Sequence, residues 1–89
     1  MAAFTVGTGA SVLLATGYST KGNWVVVQNL TSATNHIFVD NVTGVTTGTG
    51  FRIDAAATPV SQEFHVGKGE KLYAISTGGN ADTRVVITN

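Results

Sequence analysis

The fold of this chain is decided by one stretch, Asn23-Trp24-Val25-Val26-Val27-Gln28-Asn29. Its β-branched and aromatic residues favour an extended backbone, and the polar residues at its two ends mark the limits of a strand. No window of the sequence shows a sustained helical period. The stretch therefore predicts a central strand in an all-β protein.

Similar short β-branched or aromatic runs recur on both sides of this stretch, and turn residues separate them. Gly7-Thr8-Gly9 predicts the turn of a hairpin between the first two runs. The helix-tolerant residues 54–57 stop before Pro59 and predict a single turn or a loop. The remaining predicted strands cover residues 4–6, 11–16, 36–39, 50–53, 62–66, Lys71–Ser76 and 83–88.

About eight short strands, spaced by roughly ten residues, predict a small antiparallel β-sandwich or jelly-roll-like domain. With 89 residues and no linker or repeat, the chain is expected to be one domain, residues 1–89.

Several predicted strands carry apolar side chains on both faces. In Lys71–Ser76, Leu72 and Ala74 alternate with Tyr73 and Ile75. A strand in a two-layer sandwich needs only one apolar face, so the second face must be covered by something else. Two explanations stay open at this point: a neighbouring subunit, or loops of the same chain.

The charge content excludes two classes of partner. Hydrophobic residues make up 43% of the chain and charged residues 11%, and the formal net charge is zero. A nucleic-acid-binding protein needs a basic stripe, and a peripheral membrane protein needs a basic patch. Neither is present in the sequence, so we expect no nucleic-acid or membrane partner. The start of the chain has no basic segment or apolar run typical of a signal peptide, which predicts synthesis in a cytoplasm.

The sequence offers little for catalysis, and we expect neither an enzyme nor a bound cofactor. There is no cysteine, and no serine stands in a Gly-x-Ser-x-Gly motif. His36 and Asp40 would lie about 13 Å apart along a strand, too far for a metal pair. His65 and Glu63 are interpreted as an exposed surface pair.

A calcium site is one alternative for the loop at 41–50, because Asp40 and Asp54 stand on either side of it. Loop capping by Asp and Asn side chains explains the same residues more often, so we predict no metal.

Trp24 is the only tryptophan. Because it lies in a strand and three valines follow it, we expect it to be buried in the sandwich or at a subunit contact. A sugar-binding protein would instead expose Trp24 as a stacking platform, together with Tyr18 or Tyr73.

The predicted strands and turns at residues 25–30, 36–39, 45–53, 67–76 and 83–87 follow one another in a defined order. This order resembles that of small virion proteins of tailed bacteriophages. Such proteins have an apolar strand that ends in Gln-Asn, an Ile-aromatic-Val strand, a Val-Thr…Gly loop, a Leu-Tyr-Ala-Ile strand and a last Val-rich strand. Where those proteins have a Pro-Gly or Ala-Gly turn, this chain has Ala55-Ala56-Ala57-Thr58-Pro59.

The resemblance implies a capsid decoration (cement) protein on the surface of a virion, made in the cytoplasm of a bacterial host. Its partner would be the major capsid protein, and the chain would form a small homo-oligomer, with a trimer favoured. The alternative is a tail- or fibre-associated module that binds a carbohydrate or receptor.

Protein interfaces are enriched in aromatic residues and arginine. On that basis the residues expected to contact a partner are Phe4, Tyr18, Trp24, Phe51, Arg52 and Arg84.

Overall fold

A computed structural model of the protein describes residues 2–30, 35–55 and 60–88. These residues form strands and their connections, as expected from the alternation of β-branched runs with glycine-rich turns. The strands are β1 Ala2–Val6, β2 Val12–Thr16, β3 Asn23–Asn29, β4 Ile37–Asp40, β5 Phe51–Ile53, β6 Val60–Val66, β7 Lys71–Ser76 and β8 Ala81–Thr88.

The strands form two four-stranded antiparallel sheets that pack face to face, so the chain is a small β-sandwich. Sheet A has the order β1-β8-β3-β6, and sheet B has the order β2-β7-β4-β5. This is the strand order of an eight-stranded jelly roll. Among the eight described strands, only β4 and β5 are consecutive in the chain and also lie in the same sheet, and every other consecutive pair is divided between the two sheets.

The predicted hairpin of the first two strands is wrong. β1 pairs with β8 in sheet A, whereas β2 pairs with β7 in sheet B. Residues around Gly7 carry the chain between the layers, and the Gly7 carbonyl accepts a hydrogen bond from the Ser76 amide of β7 at 2.9 Å. The pairing partners of both strands are set by contacts that are distant in sequence.

The core lies between the sheets and follows the period-two alternation of the strands. In β3 the inward residues include Val25 and Val27, and in β7 they include Leu72 and Ala74. Ile37 and Val39 of β4 contribute from sheet B. Each of these aliphatic side chains is removed from water, which is the main stabilising contribution in a domain of this size.

Two buried asparagines mark the ends of β3. The side-chain Nδ2 of Asn29 donates a hydrogen bond to the carbonyl of Asn35 at 3.1 Å. The side-chain Oδ1 of Asn23 accepts a hydrogen bond from the backbone amide of Tyr18, in the connection between β2 and β3. Among the described residues, no buried side-chain nitrogen or oxygen lacks a hydrogen-bond partner. The turn or loop predicted at 54–57 is described only at Asp54 and Ala55, which lie outside the strands, and its other residues lie outside the described part of the chain.

Candidate interaction surfaces

The outer face of sheet A is the side that points away from the core. We define it by Trp24, Val26 and Gln28 of β3 together with the outward residues of β8 and β6. Val26 lies opposite Val86 of β8, and Trp24 lies opposite both Thr88 and His65. Val26 and Val86 are half-buried, and Trp24 is exposed. This face therefore presents an apolar centre next to an indole ring.

Trp24 is not buried in the sandwich as the sequence led us to expect, because its side chain is 47% exposed. The inward positions of β3 are occupied by Val25, Val27 and the two asparagines, so Trp24 falls on the outer side. Its ring contacts the imidazole of His65 edge-on, with the centroids 4.9 Å apart. Gly22 (φ +82°) makes room for this pair, since a Cβ there would lie 2.5 Å from Cε1 of His65.

Tyr18 is held at the same end of the sandwich. The buried Oδ1 of Asn23 accepts hydrogen bonds from the backbone amides of Tyr18 at 2.8 Å and Ser19 at 3.1 Å. Nδ2 of Asn23 donates to the carbonyl of Thr88 at 3.2 Å. The backbone of the connection from β2 to β3 is thus fixed to the end of β8, while the Tyr18 ring remains 57% exposed.

A groove of about 420 Å³ lies beside Tyr18, between β2 and β8. Its walls are mostly aliphatic and include Leu14, Ala15, Val86 and Ile87. Val86 belongs both to this groove and to the outer face of sheet A, so the two surfaces are continuous. Tyr18 and Trp24, both predicted contact residues, border this continuous surface.

The outer face of sheet B is different, because part of it is covered by the chain itself. The connection between β4 and β5 folds back so that Gly50 lies close to both Phe38 and Val45. Phe38 is 8% exposed and Val45 3%. Ser11 donates a 2.7 Å hydrogen bond to the carbonyl of Thr43, which ties this loop to the β2 side. For Phe38, a loop of the same chain covers the second apolar face.

Phe51 lies at the open side of the sandwich where β5 and β6 are the edge strands. Its ring contacts Phe64 of β6 at 5.5 Å between centroids, with an angle of 89° between the ring planes. Phe51 is 53% exposed, whereas Phe64 is partly buried against the core.

Arg52 and Arg84, two of the predicted contact residues, are each paired within the chain. Arg52 forms a salt bridge with Asp54, and Arg84 forms one with Asp82. Such exposed pairs contribute little to stability, but they neutralise charge on the surfaces that carry them. Phe4, the remaining predicted contact residue, is partly buried and packs against the core, so less of its ring is available to a partner.

Asp40 and Asp54 do not bracket one site, which removes the basis of the calcium alternative. The pairing of Ile37 with Ile53 places Asp54 near His36, at the opposite end of β4 from Asp40. Asp54 lies 3.6 Å from Nδ1 of His36, and Asp40 accepts a 2.7 Å bond from the amide of Asn41. No group of three or more acidic or histidine side chains with metal-binding spacing occurs among the described residues.

The His36 cluster was not anticipated from the sequence. Nδ1 of His36 accepts a 2.9 Å hydrogen bond from the Ala55 amide, and Nε2 lies 3.4 Å from a guanidinium nitrogen of Arg52. Only the pairing of β4 with β5 brings these residues together, and no local motif signals it. The contacts fix Asp54 and Ala55 directly after β5.

Three comparisons with known proteins find no match for this chain. No protein-family model matches the chain. No match is found among the curated proteins or among the solved structures. None of the described residues forms a helix that is long and apolar enough to cross a membrane.

Proposed function

We propose that this protein is a structural subunit that binds a protein shell through the outer face of sheet A. Following the phage-like order of its sequence features, the shell would be a bacteriophage capsid, and the chain would act as a decoration protein in a small homo-oligomer. The role is mechanical: each bound copy bridges neighbouring shell subunits, and its binding free energy adds to the stability of the shell.

One observation carries the proposal: a loop of the chain covers the centre of the outer face of sheet B at Phe38, with Leu13 exposed at its edge, whereas the apolar centre of sheet A stays open. On sheet B, Phe38 is buried, and Gly50 from the connection between β4 and β5 lies against it. On sheet A, the described residues leave Trp24 exposed and Val26 and Val86 half-buried. An apolar patch that stays open to water favours a role in binding another protein.

The charges around this patch agree with a protein partner. The Arg84 guanidinium is paired with Asp82 on the same face, so it presents little uncompensated charge. Desolvating such a paired charge costs less than desolvating an isolated one. A standard contact buries about 800 Å² per partner, and the whole chain exposes 4746 Å², so one contact would use a substantial share of the surface.

Co-sedimentation with purified shells that lack the protein tests this role. Wild-type protein is expected to sediment with the shells and to delay their rupture by heat or osmotic shock. A double replacement of Val26 and Val86 by serine should abolish binding, while Leu13→Ser, on the outer face of sheet B, should not. The proposal is wrong if decorated and stripped shells rupture at the same temperature.

Exposure of Trp24 also favours a second candidate, a carbohydrate-binding module. An exposed indole with polar neighbours such as His65 and Thr88 is a suitable platform for a sugar ring. Jelly rolls occur in viral capsid proteins and in lectins, so the fold admits both candidates and decides neither. A glycan array separates them: binding that Trp24→Ala removes supports the second candidate, and an array without hits rejects it.

A further inference from the structure

We propose that two copies of this chain pair through the free edges of β6, so that sheet A continues across a two-fold axis as one eight-stranded sheet. The occupant of the edge is a second copy of the same chain. This inference does not rest on the proposed function, because it concerns the purified protein alone.

The edge strands of the two sheets are unequally protected against pairing with a strand of another molecule. Natural sheets protect their edges with short strands, bulges, lysine and proline. In sheet B, β5 has only three residues and β2 has a register shift between Leu13 and Ala15. In sheet A, β6 has seven residues, contains neither lysine nor proline, and pairs with β3 in one uninterrupted register from Val60 to Val66. The edge of β6 is therefore the longest regular edge among the described strands.

Of the two registers centred on the middle of β6, its side chains favour one for an antiparallel pair of identical strands. A two-fold axis at Glu63 would place the two Glu63 carboxylates opposite each other, which is unfavourable. An axis at Phe64 places Phe64 opposite its own copy and Glu63 opposite His65 of the second copy. In that register, the carboxylate of Glu63 lies opposite the imidazole of His65 on both sides of the axis.

The apolar side of the same edge is also suited to a second copy. Phe64 points inward, and the ring of Phe51 rests on it at 5.5 Å between centroids. Phe51 is 53% exposed because the sandwich is open at this side. In the pair, the Phe51 and Phe64 rings of both copies would form one cluster beneath the joined β6 strands, which would remove the exposed phenylalanine from water.

The pair has a geometric consequence for the rest of the molecule. When a two-fold axis normal to the sheet relates two antiparallel strands, the side chains that point outward in one strand also point outward in the other. The outer faces of sheet A from the two copies would thus lie side by side. If that face binds a shell, as proposed above, binding of one copy would raise the effective concentration of the other at the shell, so the dimer would bind more tightly than a single copy.

The test is sedimentation equilibrium of the purified chain and four variants. The wild type is expected to be a dimer. His65→Glu should raise the dissociation constant of the dimer about tenfold, because the glutamate at position 65 of each copy then lies opposite Glu63 of the other copy. Adding Glu63→Lys to His65→Glu should restore the dimer, since each lysine then lies opposite a glutamate. Phe51→Ala should also weaken it.

A matched control adds the same charge to the other edge of sheet A. Ala3 lies on β1 with its side chain on the outer face and is exposed, so Ala3→Glu should leave the dimer intact. Thermal unfolding of every variant separates loss of pairing from loss of fold. A wild-type monomer or trimer overturns the proposal, as does a dimer that Ala3→Glu dissociates or that the charge swap fails to restore. A monomer that still binds shells would reject the β6 pairing alone, whereas a dimer that binds none would reject the shell role alone.

Discussion

The rings of Trp24 and His65 meet edge-on across β3 and β6, with their centroids 4.9 Å apart and their planes at 67°. The contact lies on the outer face of sheet A. It therefore restricts the orientation of an exposed indole and does not contribute to the core. Edge-to-face aromatic pairs contribute about 0.5–1.5 kcal/mol beyond the area that they bury. The pair thus holds Trp24 in a defined orientation at a surface that is free in the isolated chain.

Trp24 should be accessible to a quencher and dispensable for folding. As Trp24 is the only tryptophan, acrylamide quenching of the fluorescence reports on this side chain alone. We expect strong quenching in the isolated protein and protection when a partner covers the outer face of sheet A. Trp24→Ala should lower the free energy of unfolding by no more than about 1.5 kcal/mol. Weak quenching in the isolated protein would contradict the exposed position.

Neighbouring valines of β3 provide a matched pair of core and surface substitutions. Val27 is fully buried between the sheets, whereas Val26 is half-buried on the outer face. Val27→Ala should destabilise the fold by about 2 kcal/mol, because it removes buried methyl groups and leaves a cavity. Val26→Ala should cost less than about 1 kcal/mol and instead weaken partner binding. Urea unfolding and co-sedimentation measure the two effects, and equal destabilisation by both would contradict the assignment of faces.

The positions of the strands could be predicted from the sequence because their signals are local. β-branched runs between glycine-rich turns mark strand ends without knowledge of the partner strand. The predicted limits of Asn23–Asn29 and Lys71–Ser76 match β3 and β7 residue for residue.

The pairing of strands could not be predicted in the same way. Gly7-Thr8-Gly9 has the composition of a hairpin turn, but β1 pairs with β8 at the far end of the chain. A jelly roll sends nearly every connection from one sheet to the other, so neighbours in sequence are seldom neighbours in a sheet. The contact of His36 with Asp54 depends on the same long-range pairing.

The side of each strand that faces the core was ambiguous where both faces are apolar. In β3 the alternation puts Trp24 and Val26 on one face and Val25 and Val27 on the other. Size and hydrophobicity favoured burial of the indole. The deciding residues are Asn23 and Asn29, which share the inward face with the valines and find their hydrogen bonds inside the protein. The sequence pattern marks them only as strand ends, so it gives no sign that they are buried.

Gly17 is expected to be intolerant of any side chain. A Cβ at this position would lie 2.1 Å from the carbonyl oxygen of Gly67, and the Gly17 amide donates to the carbonyl of Glu70 at 2.8 Å. Both contacts are with backbone, which cannot move away cheaply. Gly17→Ala should therefore destabilise the protein by about 3 kcal/mol or more. Gly44 is the matched control, because no atom lies within 4 Å of a Cβ built there. Chemical unfolding of Gly17→Ala and Gly44→Ala with similar midpoints would refute this packing.

Asn23 should determine the order of the connection that carries Tyr18. In Asn23→Ala, the amides of Tyr18 and Ser19 lose the acceptor that binds them at 2.8 and 3.1 Å. Loss of a buried hydrogen-bonding partner costs about 1–3 kcal/mol. We expect a drop of that size in the free energy of unfolding, together with faster hydrogen exchange at the amides of Tyr18 and Ser19. Asn41→Ala, at an exposed position in the connection from β4 to β5, is the control and should change neither quantity. Exchange at these two amides that stays as slow in Asn23→Ala as in the wild type would mean that another contact orders Tyr18, because only the asparagine side chain has been removed.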